Sequence, residues 1–148
     1  MVRERIRTPV VIGALTASLS VGWISATAAR AAGTHAHSAL FQGKIDCSSS
    51  TAFPRSGSVN FSRSGDILTV SYRLRNGLPN RSYQVELYVT SGGCPFAYWD
   101  LPTRTADARG ALNDVFTQDV SGYDHFMLVL CACSVPIEFD LSIPVVLP

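Results

Sequence analysis

Between Asp66 and Val89 apolar and polar residues alternate in two runs, separated by the corner Asn76-Gly77-Leu78-Pro79-Asn80-Arg81-Ser82-Tyr83. In the first run Leu68, Val70, Tyr72 and Leu74 share one face, and Thr69, Ser71, Arg73 and Arg75 share the other. This is the period of two of a half-buried strand. In the second run Tyr83, Val85, Leu87 and Val89 oppose Gln84, Glu86 and Tyr88. Two polar outer faces around two apolar inner ones predict packed sheets.

The same pattern, read along the rest of the chain, predicts a strand from Phe41 to Cys47 with Phe41, Ile45 and Cys47 inward, and a short one from Val59 to Ser62. Ser64-Gly65 is a two-residue hairpin loop into a strand starting at Ile67. Thr90 to Pro95 reads as a Gly-rich loop. Leu101–Thr105 and Ala111–Phe116 read as a hairpin around Asp107-Ala108-Arg109-Gly110, with Gly110 suited to a left-handed backbone position. The almost continuous apolar run His125–Cys133 is the most deeply buried strand expected. After the turn Ser134-Val135-Pro136, the apolar residues Ile137, Phe139, Leu141 and Ile143 alternate with Glu138, Asp140 and Ser142. No apolar stripe of helical period runs for ten residues beyond the first segment, so the chain is expected to be all-β, a single antiparallel β-sandwich of about seven to eight strands.

The first segment reads as an address. Arg3, Arg5 and Arg7 precede an apolar stretch of about fifteen residues, Val10 to Ile24, too short to span a membrane. Small residues follow, with an A-x-A site at Ala29-Arg30-Ala31. Residues 1–31 are therefore expected to be a secretory signal peptide, with no membrane span after cleavage. Residues 32–39 read as a flexible tail and 40–148 as the sandwich domain. Removing the leader takes away four arginines and one glutamate, so the formal charge falls from +1 to −2. A mildly acidic exported chain is not expected to bind nucleic acid.

All four cysteines, Cys47, Cys94, Cys131 and Cys133, lie in the exported part, and an even count there predicts two disulfides. Cys131 and Cys133 are two apart in an expected strand, about 7 Å, which disfavours their pairing with each other. Each is expected to bond a distant partner, Cys47 or Cys94.

The corner Gly77-Leu78-Pro79, with Tyr83 and Val85, is similar to the corner of immunoglobulin-like and fibronectin-like exported domains. Together with Thr105-Ala106-Asp107-Ala108-Arg109-Gly110 the order resembles the neocarzinostatin apoprotein family, small exported bacterial sandwiches with four cysteines and a cleft for an apolar chromophore. The resemblance covers about residues 66–133. It implies structural roles for Leu78 and Tyr83, the tyrosine hydroxyl tying back to upstream backbone. Here Cys47 precedes the corner, whereas the family's first cysteine follows it, so the resemblance supplies neither the disulfide pairing nor the cleft.

Candidate chemistry is sparse. His35 and His37 could grip Cu²⁺ or Zn²⁺ weakly, but on a tail they lack fixed partners. His125 has no nucleophile beside it, and a copper/zinc dismutase needs far more histidine. Asp114, Asp119 and Asp124 lack the spacing of a calcium loop. No catalytic residue, metal site or cofactor is therefore expected. Pro95-Phe96-Ala97-Tyr98-Trp99 is the richest feature. If extended, it turns Trp99 inward with Leu101 and leaves Phe96 and Tyr98 exposed, suited to stacking on a sugar or docking an apolar ligand. Charge divides as well: residues 50–85 carry five arginines against Asp66, and residues 86–148 eight acids against two arginines. The expected function is a secreted, non-enzymatic binding or surface-associated module, its partner a cell-envelope polymer, an extracellular protein or an apolar small molecule. The alternatives are a protease inhibitor using residues 91–101 and an apolar-ligand carrier.

Overall fold

The computed structural model describes residues 34–43, 53–92 and 94–148. The expected leader, Ile45 and Cys47 lie outside the described residues. Nine strands and no helix are formed among those described: β1 Thr34–Gly43, β2 Arg55–Ser64, β3 Ile67–Leu74, β4 Ser82–Ser91, β5 Cys94–Thr105, β6 Leu112–Asp119, β7 His125–Ala132, β8 Glu138–Ser142 and β9 Val145–Val146. Eight follow one antiparallel path, β5-β4-β7-β8-β1-β2-β3-β6, and β9 pairs with β7.

The organising stretch follows its alternation except at Glu86, an expected outer position that is buried. Leu68, Val70 and Leu74 are fully buried on β3, as are Tyr83 and Leu87 on β4, with Thr69, Ser71 and Arg73 outward. The corner between them is held by backbone. Leu78 N–H donates to the Tyr83 hydroxyl at 2.7 Å, and Gly77 N–H donates to the Gly110 carbonyl at 3.0 Å. Gly110 has φ +76°, and a Cβ there would strike the Gly77 carbonyl, so this close approach requires glycine at 110.

Four expectations are corrected. β1 begins at Thr34, so Thr34 to Ser38 is paired strand rather than tail. On it Leu40, not Phe41, enters the core. The hairpin loop after β2 is Gly65-Asp66, one residue later than expected, with Gly65 at φ +60°. Third, β5 and β6 do not pair: β5 lies on β4 and β6 on β3, so the two strands form the opposite ends of the path. The Arg104–Asp114 ion pair bridges those ends and brings the sheet close to a barrel.

The fourth correction is β8, whose polar face turns inward. Asp140 is fully buried and Ser142 nearly so, whereas Ile137 and Ile143 are exposed. Register explains the inversion. Val129, Leu141 and Phe41 stand in one row across β7, β8 and β1, and Leu130, Asp140 and Gln42 stand in the next. β7 is buried on both faces, so an apolar residue of β8 finds partners on either side. The Leu141 row is taken up outside, where Phe53 also packs, within reach of a Cβ on Gly43. Inside, Ser142 is satisfied by accepting Leu128 N–H at 2.9 Å, but neither Asp140 carboxylate oxygen has a hydrogen-bond partner among the described residues. Burial pushes the Asp140 carboxyl up to about 6, and the nearby Glu138 charge adds to this. Ser56 pulls the other way from a position outside hydrogen-bonding geometry.

The cysteines also depart from expectation. Cys131 and Cys133 are bonded to each other, with Cα atoms 5.1 Å apart. β7 ends at Ala132, so Cys133 is off the strand and the strand spacing of about 7 Å does not apply to this pair. Cys94 is likewise not a free thiol. Peptide mapping of unreduced protein should give a Cys131–Cys133 peptide, and a cross-link from either of these cysteines to Cys94 would refute this assignment.

Candidate functional site

β4 and β5 form a hairpin through Gly92, with Ser91 opposite Cys94, so residues 91–101 are almost entirely paired strand rather than loop. Alternation along β5 places its rings as expected. Trp99 packs against the core, while Phe96 and Tyr98 project outward, 60% and 50% exposed. Gly110, Leu78 and Tyr83 hold the corner at the other end of the molecule and take no part in this face.

Two further rings join the exposed pair. Tyr88 lies directly across from Tyr98, and the two stack with centroids 4.9 Å apart and planes 29° from parallel. Tyr123 stands against both Phe96, at 6.5 Å, and Trp99, at 5.7 Å edge-on. Its loop is fixed by backbone: Gly122 has φ +82°, Tyr123 N–H donates to the Val120 carbonyl, and Arg63 Nη1 donates to the Tyr123 carbonyl at 2.6 Å. The result is two ring pairs, Tyr88–Tyr98 and Phe96–Tyr123, on the β4–β5 hairpin and the loop beside it.

Polar groups flank the rings at both ends. At one, Gln84 Nε2 donates to Asp100 at 2.8 Å, and Glu86 lies between Asp100 and Val129 in the ladder. Burial raises the Tyr88 phenol well above its ordinary range, and Glu86 raises it further, so the ring presents an O–H. At the other end is a cavity of about 420 Å³, whose wall includes Thr90, Phe96, Tyr123, Asp124 and His125. The Thr90 hydroxyl in that wall is buried without a partner among the described residues, and His125 Nδ1 meets Asp124 Oδ1 at 2.5 Å.

Sequence reasoning found Phe96 and Tyr98 but missed Tyr88 and Tyr123. A two-residue Gly92-Gly93 loop would set Ala97 opposite Tyr88. The register shift between Val89 and Thr90 moves Tyr98 there instead. The aspartates weighed for calcium stay apart: Asp114 pairs with Arg104, Asp119 accepts from Ser121, and Asp124 meets His125. Among the described residues no three His, Cys, Asp or Glu side chains cluster as a metal site, and no helix is long and apolar enough to cross a membrane. No family model, no curated protein and no solved structure matches the chain.

Proposed function

We propose that this chain is an exported, non-enzymatic binding module whose ligand is a carbohydrate polymer of the cell envelope, its curled sheet a sandwich of the immunoglobulin-like kind. The observation that carries the reading is the stacked, outward-facing Tyr88–Tyr98 pair, prolonged by Phe96 and Tyr123. Contiguous exposed apolar surface on a folded protein costs solubility and marks contact surface. Rings in an open row suit the flat C–H faces of successive sugar units, and Gln84, Asp100 and the Tyr88 hydroxyl suit their hydroxyl groups. An edge-strand position lets a long polymer run past without an enclosing pocket. A disulfide between Cys131 and Cys133 accords with an oxidising compartment and with the leader-like residues 1–31. The inhibitor reading needs an unpaired presenting loop at 91–101, and the hairpin offers it less support.

The test is retention on insoluble cell-wall polysaccharide. Tyr98→Ala should weaken retention at least tenfold while costing under about 1 kcal/mol of stability, the size of a cross-strand pair. Trp99→Ala should instead cost about 3 kcal/mol. Undiminished retention by a folded Tyr98→Ala protein would refute the assignment.

A further inference from the structure

Strand β1 carries His35 and His37 on one face, two residues apart, and their cross-strand partners are Ser62 and Asn60. Because β1 is paired along this stretch, the backbone holds the two rings about 7 Å apart at their origins on a common surface. They line one trough of about 410 Å³, whose polar wall includes Asn60, Ser62, Thr69 and Ser71. This face is remote in the strand order from β4 and β5 and does not depend on the glycan reading.

His37 is oriented. Its Nδ1 lies 2.8 Å from Asn60 Oδ1. An amide oxygen accepts and cannot donate, so Nδ1 carries the proton and Nε2 carries the lone pair. A ring N–H given to an oxygen acceptor, with the second nitrogen left open, is the arrangement that fixes a metal-ligating histidine. His35 is exposed on the same side and free to turn toward the same point.

We infer that His35 and His37 form a surface site for a divalent transition metal, with Asn60 positioning His37. Two imidazoles without a carboxylate favour Cu²⁺, which stands highest in the affinity order for nitrogen ligands and accepts a tetragonal set completed by water or the nearby hydroxyls. With two protein ligands the site is open, suited to capturing or passing on an ion rather than to holding up the fold.

The test is titration of the secreted protein with Cu²⁺, followed by electron paramagnetic resonance. One ion per chain with two imidazole nitrogens is expected. His35→Ala and His37→Ala should each lower affinity at least tenfold, and Asn60→Ala, which keeps both ligands, should lower it about tenfold or more. Far-ultraviolet circular dichroism of the variants should match the parent, since all three positions lie on an outward strand face. Unchanged affinity in the double variant His35→Ala/His37→Ala, or a spectrum lacking imidazole nitrogen, would overturn the site. Full affinity in Asn60→Ala would overturn the positioning role.

Discussion

Asp140→Asn should leave stability near pH 4 unchanged and raise it by about 3 kcal/mol at pH 8, the cost of ionising a buried carboxyl whose value is about 6 in the fold against 3.8 in the unfolded chain. The sign follows from which state holds the proton. Between those two values the folded protein keeps it and the unfolded chain has lost it, so stability falls as pH rises from about 4 to about 6 and is then level. Asp107 and Asp119 act in the opposite sense. Backbone N–H groups of Arg109 and Ala111 hold the Asp107 carboxylate below its ordinary value, and the Ser121 hydroxyl and N–H do the same for Asp119. Their contribution is present above about 3.8 and lost as pH falls. Wild type should therefore be most stable in mildly acid solution. Tyr83, pushed up to about 12 chiefly by burial, titrates far outside this window. Urea denaturation of both proteins from pH 4 to 8 checks the claim, and parallel curves would show that Asp140 is not a buried, unpaired carboxyl.

The second large effect is at the corner. Tyr83 is fully buried, its ring lies in the main core and its hydroxyl accepts Leu78 N–H. Tyr83→Phe keeps the packing but leaves that N–H without its acceptor, so it should cost about 1 kcal/mol. Tyr83→Ala removes the ring as well and should cost about 3–5 kcal/mol. Equal, small losses in denaturant titrations would show that the ring does not anchor the corner.

The strands were legible where one face is wet and one is dry. Leu68 to Leu74 and Tyr83 to Val89 alternate against polar outer positions, so period alone assigned their faces. Around β7 that information runs out, because its neighbour β8 meets apolar surface on both sides. Alternation separates Leu141 from Asp140 but cannot say which enters the core. The row Val129–Leu141–Phe41 decides it, and that row exists only in the assembled register. The unpaired Asp140 is the local cost of this choice. Sequence adjacency suggests a hairpin for β5 and β6, whereas they stand at the two ends of the strand path, joined by the turn at 106–111 and bridged by Arg104 and Asp114.

The aromatic face was half legible. Phe96, Tyr98 and Trp99 sort themselves along one strand, which needs only the period. Tyr88 and Tyr123 join them through a bulge and through a loop held by Arg63, neither of which has a signature in a single sequence. For the same reason the histidines on β1 looked solvated: the strand begins seven residues before Phe41, where composition suggested a tail.

Amide chemical-shift mapping with soluble cell-wall polysaccharide fragments tests the proposed glycan-binding role of the aromatic face most directly. Shifts that saturate and are confined to Gln84–Tyr88, Phe96–Asp100 and the Tyr123 loop are expected, with the β1–β2–β3 face unmoved. Saturating shifts centred on any other face, or none at millimolar fragment, would contradict that role.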